Sequence, residues 1–476
     1  MTDAPSYLAI DLGASSGRAV VGTLRDGAME TREVHRFRTP LVEAHGHLWW
    51  DAEALWGEVR RGLALAREAA PALRSVSVDS WAVDYVPLGT DGEPLRRPYC
   101  YRDPRTRGRL DEAIRRAGGA DALYERTGIQ FLELNTLPQI VADLLDEPAL
   151  VARTAKRLLI AEWLLYKLSG RMVAERTNAS TTQLLDARTG RWAEDLIRAV
   201  GDDPARWPDV VPPGTALGPA FDAMGGLVIA SCAHDTAAAV AAVPASHARQ
   251  WAYISSGTWS LVGAELDAPM LAPEARRAGF TNEAGLDGTV RFLKNRTGMW
   301  ALEECLRAWE AEDGARPAYD ALVAAAASAS ASDVTLDLNA PAFGERGDMP
   351  ARIAEACRAQ GCEVSNARGA VVRLILDSLA ASYADTLAEL DALTGRRTDD
   401  VHVVGGGARN ALLNQLTADA CGRRVLAGPE EATVLGNLLV QARTMGDLAP
   451  GSTVRDAARR SARVTEYTPR SSPALR

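Results

Sequence analysis

The chain has 476 residues, 47% of them hydrophobic and 24% charged, which is the composition of a globular protein too long for one ordinary core, so two large domains are expected. Its formal charge of -9 excludes a general binder of nucleic acid or of anionic membrane, because either needs a basic face. No apolar run approaches the roughly 18 residues that span a bilayer, and the polar stretch Met1 to Ser6 runs straight into the first strand; no signal peptide or membrane partner is expected, and the cytoplasm is. Six cysteines occur without a C-x-x-C pair, so a zinc or redox site is not expected.

Tyr7 to Asp11 and Ala19 to Leu24 read as paired strands, with Val34 to Arg38 as a third. Between the first two lies Gly13-Ala14-Ser15-Ser16-Gly17-Arg18. Glycine lets backbone N–H groups approach a ligand, and serine hydroxyls add donors, so such a turn suits phosphate oxygens. Asp11 at the strand end adds a carboxylate, which repels bare phosphate but can orient water on a Mg2+ ion that accompanies it. Arg18 suits a phosphate or a surface carboxylate equally. Neither a Walker loop nor a Gly-x-Gly-x-x-Gly dinucleotide fingerprint is present here.

His45 and His47, beside Trp49 and Trp50, lack the companions of a metal set and read as a loop. Asp51 is a candidate N-cap for a helix whose Leu55, Val59, Gly62, Leu63 and Ala66 recur at helical spacing until Pro71. Ser75 to Asp79 follows as a strand, and Trp81-Ala82-Val83-Asp84-Tyr85 lies just beyond its end, where α/β sheets bind ligands. Leu158 to Leu168 reads as helix, Thr177 to Gln183 as a polar stretch, and Val228 to Ser231 as a buried strand. That strand delivers Cys232-Ala233-His234-Asp235-Thr236 to an alanine-rich helix, Ala237 to Val243, after which Pro244 marks a boundary. Asp235 has two readings there, an N-cap or a base whose ionised form the helix start favours. His234 is either a core histidine or a ligand contact.

After the boundary the strand and glycine turn recur as Ile254-Ser255-Ser256-Gly257-Thr258-Trp259-Ser260, a second phosphate seat. Ala324 to Ser332 holds only Ala and Ser and carries no function. Val372, Ile375, Leu379, Tyr383, Leu387 and Leu390 predict a long helix ending at Gly395. Val401 to Val404 is a buried strand that enters Gly405-Gly406-Gly407-Ala408-Arg409-Asn410, a corner where a base or phosphate can lie against bare backbone. The last thirty or so residues, with Arg459, Arg460 and Arg463, read as a solvated helix and tail.

In this order the motifs resemble the FGGY carbohydrate kinases of the actin, hexokinase and Hsp70 ATPase superfamily. Further matching runs are Tyr101-Arg102-Asp103 with Arg105-Thr106, Thr127-Gly128-Ile129-Gln130-Phe131, Thr177-Asn178-Ala179 and Lys294-Asn295 with Gly298, so the resemblance extends from Asp11 to near Gly436. It implies an α/β protein of two ribonuclease H-like domains around a central cleft: 1–244 with the sugar site and first phosphate loop, 245–445 with the nucleotide site, and 446–476 as a helix and tail. It implies phosphoryl transfer from MgATP to a small ketose, with Asp235 as catalytic base. Ala82, His234, Asp235, Thr236 and Asn295 would hold the sugar. Ala14, Ser15, Ser16, Gly17, Arg18 and Thr258 would meet the ATP phosphates, Glu303 and Gly406 would line the nucleotide site, and Asp11 would reach Mg2+ through water. Two departures stand out, Ala82 where the family has Gly and Glu303 where it has Gln. A filament-forming or chaperone ATPase has no use for Asp235 and Asn295, and a non-catalytic sugar sensor would be expected to lose the base or a phosphate turn.

Overall fold

The computed structural model describes residues 4–221, 226–246, 248–331, 334–363 and 365–470. Ser332 of the alanine and serine run, the start of the Met1 to Ser6 stretch and the last six residues of the tail lie outside them. The chain divides into two compact units: Met1–Pro244 with Glu265–Phe292 and Ala432–Ala462, and Ala245–Ala264 with Leu293–Glu431 and Arg463–Arg476. Neither unit is a single stretch of chain.

The first unit is built on a six-stranded sheet in the order Thr215–Pro219, Leu227–Ala230, Leu73–Ser80, Ser6–Leu12, Ser16–Arg25, Ala28–Arg38. Of its four inner strands, Leu227–Ala230, Leu73–Ser80 and Ser6–Leu12 are parallel and Ser16–Arg25 is antiparallel to them. Ser6–Leu12 is buried on both faces, which is why Tyr-Leu-Ala-Ile-Asp-Leu is nearly continuous in apolar character rather than alternating. The expected helix is Ala52–Ala69: the Asp51 carboxylate accepts from the Ala54 amide at 3.1 Å, and Leu55, Val59, Gly62, Leu63 and Ala66 are buried. The helix expected from Leu158 starts later. Lys156–Leu159 is a strand paired with Tyr85–Leu88, and the helix is Ile160–Ser169; leucine suits either state, and the partner strand decides. His45 and Gly46, at φ 53° and 79°, form the tight turn of a hairpin between Leu41–Ala44 and His47–Trp50.

Helix Ala432–Thr444 joins this same unit through buried amides. Gln441 donates to the Leu8 carbonyl at 2.9 Å and accepts from the Ser75 hydroxyl at 2.7 Å, and Asn437 donates to Asp79. The following helix Val454–Ser461 starts on a capping box of Thr453 and Asp456 and buries Val454, Ala457 and Ala458, so it is a packed element rather than a solvated one.

In the second unit, strand Trp251–Ser256 pairs antiparallel with Trp259–Leu266 and parallel with Asp400–Val404, which is followed by parallel Arg424–Ala427 and antiparallel Thr465–Tyr467. The end of the chain therefore contributes an edge strand where a tail was expected. Helix Arg368–Thr394 buries every apolar position expected of it and stops at Gly395, whose φ of 66° lets its amide turn back to the Asp391 carbonyl. Most of the alanine run lies in helix Tyr319–Ser328. All six cysteines are free thiols. No helix among the described residues is long and apolar enough to cross a membrane.

Candidate active site

In the first unit, three parallel strands point their carboxyl ends the same way. Asp11 and Asp79 are register partners on adjacent strands, and Ser80 bridges to His234, so the sheet sets Asp11, Asp79 and the His234-Asp235-Thr236 run side by side. The first glycine turn closes with the Gly13 amide donating to the Ser16 carbonyl at 2.9 Å, and the Thr39 hydroxyl braces the Gly13 carbonyl at 2.6 Å. Ser15 and Ser16 are exposed and Ala14 half-buried, as an anion seat needs. Gly17 has a packing duty as well. A Cβ there would stand 2.4 Å from the Phe37 ring, so this glycine is required by packing. Arg18 donates to Asp11 Oδ2 through Nε at 2.9 Å and Nη2 at 2.7 Å, an ion pair with the strand-end carboxylate.

Asp235 is the first residue of the short helix Asp235–Ala241, with His234 at the N-cap. Its Oδ1 accepts from the Thr236 amide and, at 3.0 Å, from the Thr236 hydroxyl, while His234 Nε2 lies 3.3 Å away. Oδ2 takes none of these bonds. The expectation that the helix start favours the ionised form is overturned: sparse hydration first, and the nearby Asp11 second, push the carboxyl up to about 7, although 30% of its side chain remains open to solvent. Burial and Asp11 hold Asp79 well above the usual carboxylate range as well.

Ala82 is half-buried, and its carbonyl accepts from the Asp84 amide at 2.9 Å across Val83. Val83 has φ 69°, a region that strains a β-branched residue. The surroundings hold it there. The Thr136 hydroxyl donates to the Val83 carbonyl at 2.7 Å, and buried Asp84 accepts from the Trp50 and Trp81 indoles at 2.6 and 3.0 Å, from Gln139 at 3.0 Å and from the Tyr101 amide at 3.0 Å. Burial lifts the Asp84 carboxyl to about 6 against those four bonds.

Beneath His234, Glu175 Oε2 accepts from the Ala233 amide at 2.9 Å, and the Thr177 hydroxyl accepts from the His234 amide at 3.3 Å. Glu175 and its neighbour Glu162 are fully buried; burial raises them to about 7 and about 8. Glu162 in turn accepts from Asn178 at 2.8 Å, which explains the Thr177-Asn178-Ala179 run as the floor under His234. Sequence reasoning missed Asp79, Glu175, Glu283 and Arg291 as members of this neighbourhood, and it met Asp84 only as part of the Trp81 to Tyr85 run. Only a positive-φ position occupied by valine and buried charges in apolar runs could have flagged them, and φ is invisible in sequence.

The second unit carries the other expected residues. Thr258 is exposed in a turn closed by the Gly257 amide donating to the Trp259 carbonyl at 2.8 Å. Gly298 lies against it. A Cβ on Gly298 would fall 2.5 Å from the Gly257 carbonyl oxygen. The three-glycine corner divides its labour too: Gly405 has φ 80°, a Cβ on Gly407 would meet Ser256 Oγ at 2.0 Å, and Gly406 has open space around it and is exposed. Only Gly406 presents bare backbone free for a ligand. Glu303, on helix Trp300–Asp313, pairs with Arg316 at 2.6 Å and Arg307 at 3.6 Å. Asn295 stands half-buried on strand Val290–Thr297.

The first unit thus sets the raised Asp235 carboxyl beside hydroxyl and imidazole groups, and the second presents exposed backbone at Thr258 and Gly406 beyond its strand ends. The class is that of a carbohydrate phosphotransferase, as two family models show. Residues 6–242 and 252–445 match the models of the N-terminal and C-terminal domains of the FGGY family of carbohydrate kinases. The chain belongs to that family. It is 40% identical over 471 residues to the rhamnulokinase of Bacteroides thetaiotaomicron, covering 98% of this chain and 96% of that protein. A rhamnulokinase of Klebsiella pneumoniae is 41% identical over 466 residues, covering 97% and 94%. Among solved structures, ligand-bound xylulose kinase from Lactobacillus acidophilus superposes with a TM-score of 0.79 at 15% identity, and Plasmodium falciparum glycerol kinase with ADP with 0.77 at 14%, each over 98% of this chain and 94% of the other. These two share the fold.

Proposed function

We propose that this chain transfers the γ-phosphoryl group of MgATP to the C1 hydroxyl of L-rhamnulose, giving L-rhamnulose 1-phosphate and ADP, a step of L-rhamnose catabolism. The observation that carries the reading is identity of 40% and 41% to rhamnulokinases along almost the whole of both chains. Asp235 Oδ2 takes the hydroxyl proton as the bond from O1 to the γ-phosphorus forms and the bond to the β,γ-bridging oxygen breaks. His234 and Thr236 orient the sugar. Ala82 and Asn295 complete its contacts.

ATP is held by Ala14 to Arg18 and Thr258 at its phosphates and by Glu303 and Gly406 at the nucleoside. Among the described residues no group of three or more His, Cys, Asp or Glu is placed to hold a metal, which suits an ion delivered with the nucleotide and met by Asp11 through water. When bound, Mg2+ neutralises phosphate charge; the chain's own share is alignment and proton removal. Six free thiols and the use of ATP fit a cytoplasmic location.

A coupled assay of ADP release across L-rhamnulose, L-fuculose, L-xylulose and L-ribulose tests this. L-rhamnulose should have the highest kcat/KM; a higher value for another ketose reassigns the substrate, and no release with any of the four points to a sensor.

A further inference from the structure

Behind His234 lies a buried charge pair that the reaction as described leaves unused. Arg291 is wholly buried, and Glu283 nearly so. Arg291 Nη2 stands 3.0 Å from His234 Nδ1 and 3.0 Å from Glu283 Oε2, and its Nε donates to the Ala284 carbonyl at 3.0 Å. A guanidinium has only donors and does not deprotonate in proteins. The imidazole nitrogen facing it must therefore accept.

We propose that Arg291 is a positioning residue that locks His234 as the neutral tautomer protonated at Nε2, so that His234 meets the ketose only as a hydrogen-bond donor and Asp235 alone receives the proton. The competing arrangement, with a proton on Nδ1 directed at Glu283 Oε2, would use a longer contact of 3.4 Å and set two N–H groups against each other at 3.0 Å. Geometry decides for the first. Burial, and then the charge of Arg291, hold the imidazole well below its ordinary titration range, which keeps it neutral as the tautomer requires. With Nδ1 occupied from behind, Nε2–H faces forward, 3.3 Å from Asp235 Oδ1. A donor in that place selects an acceptor oxygen on the sugar and steadies the Asp235 carboxylate without competing for its proton.

The tautomer stands on the protein alone; its consequence for the ketose rests on the function proposed above. Long-range 1H–15N correlation spectra of the 15N-histidine protein, without sugar and at about pH 7.5, read it directly, with His234 assigned by its loss in His234→Gln. A pyridine-type Nδ1 and a pyrrole-type Nε2 are expected. The reverse pattern, or an imidazolium, in the wild-type protein would overturn the proposal. Arg291→Met, combined with Glu283→Gln so that no lone charge is buried, should mix the tautomers and raise the ketose KM on the order of tenfold with the KM for ATP unchanged. Arg291→Lys should restore the spectrum and part of the KM. An unchanged ketose KM despite mixed tautomers contradicts the donor role. If the wild type phosphorylates no ketose, the function falls while the spectrum still judges the lock.

Discussion

Asp235 shows how its environment decides what a carboxylate does. The same residue type at a helix start would ordinarily ionise near 4; here, little hydration and the charge of Asp11 bring its pKa to about 7. A carboxyl raised in this way is protonated, and useless as a base, below its pKa, so kcat/KM should rise with pH through an inflection near 7 and level off above it. Asp235→Asn is nearly isosteric and should keep the fold. It should lower kcat by about 10^2 to 10^4 and abolish that inflection, with ATP affinity little changed. Wild-type turnover in this variant would remove Asp235 from the mechanism. Ala82 offers a second test at this scale. It precedes the strained Val83, and a methyl at a sugar contact shifts discrimination by about 1 to 3 kcal/mol. Ala82→Gly should raise kcat/KM for the other ketoses relative to L-rhamnulose and cost about 0.4 to 1 kcal/mol of stability. Identical relative specificities in variant and wild type would mean that the methyl faces away from the substrate.

At the scale of elements, the glycine corner after strand Asp400–Val404 separates packed from open backbone within three residues. Gly407→Ala drives a Cβ into Ser256 and should cost about 1 to 3 kcal/mol, read as a lower Tm. Gly406→Ala meets nothing within 4 Å and should leave Tm unchanged while raising the KM for ATP. Equal effects on Tm would undo the distinction. Both glycines were legible in the sequence as one motif, because a strand running into three glycines is a local pattern; which of them is free depends on Ser256, about 150 residues away, and was not. The same limit applies across the site. Asp11, Thr258 and Asp235 sit in local motifs and stand out as candidates in the sequence. Arg291 and Glu283 do not, since a single Arg or Glu in a strand announces nothing until the fold buries it against His234. Helix Ala432–Thr444 fell within the expected second domain, 245–445, for a related reason: nothing local shows that Asn437 and Gln441 are fully buried against Asp79 and the Ser6–Leu12 strand.

For the molecule as a whole, the first unit stores several carboxyl groups whose pKa values are raised by burial: Asp84 to about 6, Glu175 and Asp235 to about 7, and Glu162 to about 8. In each, the folded state binds the proton more tightly than the unfolded chain, so their stabilising contribution is complete below the unfolded pKa near 4 and is lost as pH climbs through the folded values. The unliganded protein should therefore lose Tm between about pH 5 and pH 8.5, and Glu162→Gln should flatten the upper part of that decline. A Tm that rises across the same interval would show that these groups are ionised in the fold at no cost. The cluster beneath His234 thus trades stability at neutral pH for a fixed floor under the His234 backbone. The most direct trial of the central claim is the product itself. Incubated with ATP, Mg2+ and L-rhamnulose, the protein should yield a sugar phosphate whose 13C spectrum shows phosphorus coupling at C1 with one ADP per molecule formed; coupling at another carbon, or ADP without a sugar phosphate, would contradict the account.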